Sequence, residues 1–278
     1  MQSEGWCPYT ISRLYTSSSI SELVYGYALG SVTTQQDHST CSSRSCLTNN
    51  LDLPNRYEQP SHVRGGCSDC PTVTAPMREI ATIISSGRVP VLRIQTNDNC
   101  KLSLTVRPMI DGTNHIALSH VLSDDIGSKT SNAIAQCQLV RIADRLGQIE
   151  ALENCGELCI WVDTLCLPVD PAMKELYAAQ VRRLDEIYEK AYAVMVIDAD
   201  LLAMRANADI TEVAMRLRMC AWSQTPRASR EHRIAQRLLL MAGDGIVDPA
   251  KLCLETLEGR RYQGAPQPLS HRLDELLL

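Results

Sequence analysis

The sequence predicts an α/β fold with a parallel sheet flanked by helices, and three observations predict it. Apolar runs without a period of two recur along the second half of the chain, stripes with a helical period lie between them, and each run ends in polar residues. Strands joined by helices of this length pair in parallel, through right-handed crossovers.

A chain of 278 residues with 45% hydrophobic content can bury a sizeable core, although it contains no phenylalanine, so that Leu, Ile, Val and Met must fill it. The net charge of -5 argues against a globally basic nucleic-acid binder, and six arginines against one acid between Arg216 and Arg237 read as a solvated helix face. No run reaches the ~18 apolar residues that a membrane helix needs. Most of the twelve cysteines sit in apolar patterns, as Cys137, Cys159, Cys166 and Cys220 do, which suits buried thiols in a reducing compartment. A cytoplasmic protein without a membrane span is expected.

In chain order, residues 1–60 are rich in Ser, Thr, Asn and Gln with weak periodicity, and are expected to be a low-order polar segment. Residues 61–112 are expected to form a small N-terminal α+β subdomain. There MREIATIISSG places Met77, Ile80, Ile83 and Ile84 on one helix face with Gly87 past its end, and VPVLRI follows as a strand. The pattern is strongest over 113–226. HIALSHV is strand-like, and Ala135, Leu139, Ile142, Leu146 and Ile149 then recur at spacings of four and three. LCIWVDTLCL is a second strand, Tyr177, Val181, Leu184, Tyr188 and Ala191 a second helical stripe, and AVMVID a third strand. Ile210, Val213, Ala214 and Leu217 mark a third helix that ends near the break from Trp222 to Pro226, and 227–278 is expected to be a helical extension.

In open parallel sheets ligands bind outside the carboxyl ends of the strands. Those ends carry Ser119, His120 and Asp124, then Asp163 and Thr164, then Asp198 and Asp200. Each residue alone also reads as a helix cap or turn former. Their coincidence at three strands marks the rim as a candidate site. Cys166 with His120 as base would make a nucleophilic pair, but a cysteine inside TLCLP reads first as core. The common Gly-rich phosphate cradles are absent. Cys67 and Cys70 stand at C-x-x-C spacing, with His62 nearby and Cys41 and Cys46 upstream. Zinc takes four such ligands, so this is a candidate zinc set, with unligated thiols as the alternative.

HIALSHVLSDDIGS, CIWVDTLCLPV, LDEIYEKAYAVMVIDADL and CAW, in that order, resemble the fungal heterokaryon-incompatibility (HET) domain. That family shows an A-[IL]-S-[HY]-V-W-[GS]-D-G box, a W-[IV]-D-[AST]-L-C-I box, an I-Y-x-x-A segment before a strand ending in Asp, and an R-x-W-T-L-Q-E box. Three of the four are present, over roughly residues 115–225, and HVRGGCSDC with VPVLRI resembles the portion that precedes them. The motif residues are Ser119, His120, Asp124, Trp161, Asp163, Cys166, Tyr188, Asp198 and Trp222.

The resemblance implies a TIR-like (flavodoxin-like) parallel sheet. It also implies a role in fungal non-self recognition and programmed cell death, through association with other proteins or with itself. Two departures stand out: Leu122 replaces the Trp of the first box, and Trp222 is followed by Ser223, Gln224, Thr225 and Pro226, so the last box lacks its glutamate there. Some relatives of the TIR fold cleave NAD with a glutamate in a helix of this kind. Its absence argues against that chemistry, which stands as the alternative beside an inactive relative truncated or degenerate after residue 226.

Overall fold

The computed structural model describes residues 1–31, 37–50, 62–63, 67, 69–96, 102–121, 126–128, 130–153 and 156–253. Two helices, α1 (Pro8–Ser17) and α2 (Ile20–Leu29), and a single turn, α3 (Leu47–Asn50), precede a short strand, β1 (Thr72–Thr74). Then follow α4 (Met77–Ser85), β2 (Pro90–Thr96), β3 (Leu102–Pro108), β4 (His115–His120), β5 (Ala133–Ala135), α5 (Gln136–Glu153) and β6 (Cys159–Trp161). The remainder comprises α6 (Asp163–Cys166), α7 (Lys174–Val181), α8 (Leu184–Glu189), β7 (Ala193–Ile197), α9 (Ala199–Leu202), α10 (Ile210–Met219), α11 (Pro226–Ile234), β8 (Leu238–Met241) and β9 (Ile246–Val247).

Seven strands form one sheet in the order β3-β2-β6-β4-β7-β8-β9. The middle is parallel: β4 pairs with β6 on one side and β7 on the other, and β7 pairs with β8. Every residue of β4, β6, β7 and β8 is buried, as expected of strands covered on both faces, and this is why their sequences read as unbroken apolar runs. Numbered by their own order in the chain, these four strands lie as 2-1-3-4. The carboxyl ends of β4 and β7 therefore meet where the winding changes direction.

The sheet is mixed rather than purely parallel. The β2–β3 hairpin joins β6 antiparallel through Leu92 and Ile160, and β9 closes the other edge antiparallel to β8. Val89, Val91, Leu92 and Leu104 thus belong to the same core as Ile116, Trp161 and Val196, so the stretch expected to stand as an N-terminal subdomain adds strands to the central sheet.

Four further expectations are corrected. Residues 8–29 are helical, not of low order: Ser19 caps α2 with a reciprocal capping box to Glu22, and Trp6 and Leu14 pack with Met215 and Met219 in a second small core. The stripe from Tyr177 to Ala191 is two helices, broken at Arg182 and Arg183, and Tyr177 and Val181 are exposed. The chain after residue 226 begins as a helix but then supplies β8 to the sheet, with Val194, Met195 and Val196 facing Leu238, Leu239 and Leu240. The arginines between Arg216 and Arg237 are not one solvated face either. Arg216, Arg218, Arg230 and Arg237 pair with Glu212, Glu22, Asp185 and Asp248.

Candidate functional site

Parallel strands entered from one side end on one side, so β4, β6 and β7 deliver Ser119 and His120, Asp163, and Asp198 to a common edge. Adjacent residues of a strand leave opposite faces, so Ser119 and His120 diverge, and what joins them is α11. His120 Nε2 lies 3.0 Å from Asp163 Oδ1, and its Nδ1 lies 3.1 Å from the Val121 carbonyl. Asp163 Oδ2 accepts from Arg227 Nη1 at 2.8 Å, Arg227 Nη2 donates to the Tyr188 hydroxyl at 2.8 Å, and Arg227 Nε donates to Glu231. The other Glu231 oxygen accepts from the Ser119 hydroxyl, whose oxygen accepts in turn from Trp222 Nε1 at 2.7 Å. One continuous polar chain therefore runs His120–Asp163–Arg227–Glu231–Ser119–Trp222 around the end of β4.

The electrostatics follow from that connectivity. Burial alone would raise the Asp163 carboxyl, but His120 and Arg227, one on each oxygen, hold it well below the usual carboxylate range. The Arg227 side chain, 41% exposed, is the outermost member, whereas that of Glu231 is only 3% exposed beneath it. Burial keeps the Tyr188 phenol well above its ordinary value, so it serves as a neutral acceptor for Arg227, its ring lying edge-on to Trp161 at 5.9 Å.

Asp198 plays a different part. Burial, with Asp200 beside it, raises its carboxyl to about 7, and its two oxygens accept from the backbone N–H groups of Asp200 and Trp222. It caps α9 and, by accepting from the Trp222 backbone, fixes the residue whose indole ends the polar chain at Ser119. Cys166 is wholly buried on α6, and burial pushes its thiol up to about 12, which keeps it protonated and inert. Asp124 lies outside the described residues.

Asn132 positions the Asp163 turn. It holds a left-handed backbone, φ 45°, and its side chain donates to the carbonyls of Thr164 and Leu167 and accepts from Val169 N–H. Gly127, φ 77°, packs so closely on Thr164 that a Cβ there would lie 2.5 Å from Oγ1.

The candidate metal ligands are sorted into two places. His62, Cys67 and Cys70 are joined by Cys137 at the start of α5, while Cys41 and Cys46 lie in a separate group with Cys7 and His38. Sequence reasoning missed Cys7 and Cys137, which lie far along the chain from their partners, and it missed Arg227 and Glu231. The glutamate expected directly after Trp222 is absent there, yet α11, started by Pro226 at its first turn with Thr225 as its cap, carries another one, Glu231, into the rim. Its spacing of four from Arg227 was the available signal.

The chain is thus a mixed α/β protein whose sheet, flanked by helices, carries a charged network at the carboxyl ends of its parallel strands, where the winding changes direction. Residues 115–243 match the family model described as Heterokaryon incompatibility protein (HET). The match runs through β8, beyond residue 226. No curated protein and no solved structure matches the chain.

Proposed function

We propose that this chain acts in fungal non-self recognition as a HET-domain protein with a TIR-like (flavodoxin-like) core, and that it signals cell death by association with other proteins or with its own copies rather than by turnover. The observation that carries the reading is the closure of the rim network: both Glu231 oxygens and both Asp163 oxygens are engaged within the protein. A general acid, base or nucleophile must reach a substrate atom, and neither of these two carboxylates is left to do so. The family match supports the class, and the 2-1-3-4 order of the parallel strands supports the flavodoxin-like reading. An exposed apolar stripe on α2, formed by Ile20, Val24 and Tyr27, supports association.

A second reading, cleavage of NAD or another nucleotide at the strand-end rim, is favoured by Glu231 itself, a buried glutamate beneath an exposed arginine. Expression of the full chain in a fungal host, with the purified chain incubated with NAD, separates the two. Association predicts growth arrest that Val24→Glu weakens at unchanged thermal stability, with no nicotinamide released. Nicotinamide release that Glu231→Gln abolishes while the fold persists would transfer the function to the second reading.

A further inference from the structure

We infer that the chain holds two structural zinc ions in closed Cys3His sites, one formed by Cys7, His38, Cys41 and Cys46 and the other by His62, Cys67, Cys70 and Cys137. In each set the four donor atoms lie within 4.8 Å of one another. The spacings are those of a coordination tetrahedron. With Zn–S near 2.3 Å and Zn–N near 2.0–2.1 Å, tetrahedral edges come to about 3.8 Å between two sulfurs and about 3.6 Å between sulfur and nitrogen. Cys41 and Cys46 are 3.8 Å apart, and His38 Nδ1 lies 3.4 and 3.7 Å from them. His62 Nδ1 lies 3.6, 3.3 and 3.7 Å from the sulfurs of Cys67, Cys70 and Cys137.

Neither alternative accounts for that geometry. A disulfide needs sulfurs near 2.05 Å, and none of the ten described cysteines forms one. Thiols and imidazole are weak mutual hydrogen-bonding partners, so they give little reason to gather three sulfurs around one ring twice. The surroundings suit thiolate ligands: Val63 N–H points at Cys137 Sγ at 3.2 Å, Cys137 N–H at Cys70 Sγ at 3.3 Å, and the first turn of α1 directs the N–H groups of Tyr9 and Thr10 at the Cys7 sulfur. Four protein ligands with no open position make a structural site, not a catalytic one.

Both sites join segments distant in sequence. The first ties the start of α1 to residues 38–46, and the second ties the chain before β1 to the start of α5, inside the span that matches the HET family model. The N-terminal region is thereby fastened to the domain without needing a large core of its own.

The test is metal analysis of the full-length chain, made in zinc-containing medium and dialysed against metal-free buffer. Two zinc ions per chain are expected from the two donor sets, falling to one in Cys7→Ser, one in Cys137→Ser and none in the double variant, while Cys253→Ala keeps both. Should a variant fail to fold, the wild type alone decides: after chelation it should take up two cobalt ions with the thiolate charge-transfer band and intense visible bands of a tetrahedral site. A folded wild-type chain with fewer than two zinc ions, iron with labile sulfide in their place, or a Cys137→Ser variant that retains both would overturn the inference.

Discussion

Asp163 has the His120 ring on one carboxylate oxygen at 3.0 Å and the Arg227 guanidinium on the other at 2.8 Å, and this fixes how it should respond to pH. Its folded pKa is depressed, so its contribution to stability is fully present above the unfolded value near 4 and is lost as the pH falls below that toward the folded value. The Asp163 side chain is 15% exposed and Arg227 is partly in water, so the contribution belongs at the modest end, about 2 kcal/mol. Asp163→Asn is expected to cost that much at pH 7 in denaturant unfolding, with the gap to wild type narrowing below about pH 4. A gap that stays constant down to acid pH would mean that the pairings do not hold the carboxyl down. Asp163 was legible because it follows an apolar strand. Glu231 was not, because the residue pattern shows only a helix with an acid four residues after an arginine, and what that acid meets is decided by the path of α11 back over β4.

At the level of elements, legibility followed burial. The three central strands are covered on both faces, so each left an uninterrupted apolar run, and α5 left a clean stripe because one face of it packs inward. β8 escaped notice because LLLM is too short to distinguish from a helix segment and follows an arginine-rich helix. The hairpin of β2 and β3 could not be assigned to the central sheet from sequence, since pairing across domains leaves no periodic trace. β8 is nevertheless essential: it covers the edge of β7, and α11 on its way there brings Arg227 and Glu231. A chain ended at residue 226 would expose β7 as a hydrophobic edge and leave Asp163 without Arg227 and Ser119 without Glu231. It is expected to aggregate or to unfold without a cooperative transition, where a chain ended at residue 253 melts cooperatively. Equal melting of the two would remove β8 from the fold's requirements.

At the scale of the whole molecule, the described residues form two unequal apolar cores. The large one contains the sheet, and the small one, Trp6, Leu14, Met215 and Met219, fastens α1 and α2 to α10. Contact there is close: a Cβ on Gly26 of α2 would lie 3.0 Å from the Met215 sulfur, so a bare backbone is what lets the helices approach. Few side chains share this contact, and its polar links, Arg218 to Glu22 and the Gln224 amide to Thr10 at 3.0 Å, add only modestly to it. Cooperative units with fewer buried contacts open at lower free energy than the unit holding the main core. Native-state hydrogen exchange should therefore find the amides of α1 and α2 less protected than those of β4 and β7. Trp6→Ala removes the largest side chain of the small core and should lower the opening free energy of α1 and α2 by about 3 kcal/mol, leaving β4 and β7 protected as before. Acceleration of β4 and β7 by the same factor would show a single cooperative unit, with the N-terminal helices as much a part of the domain as the sheet itself.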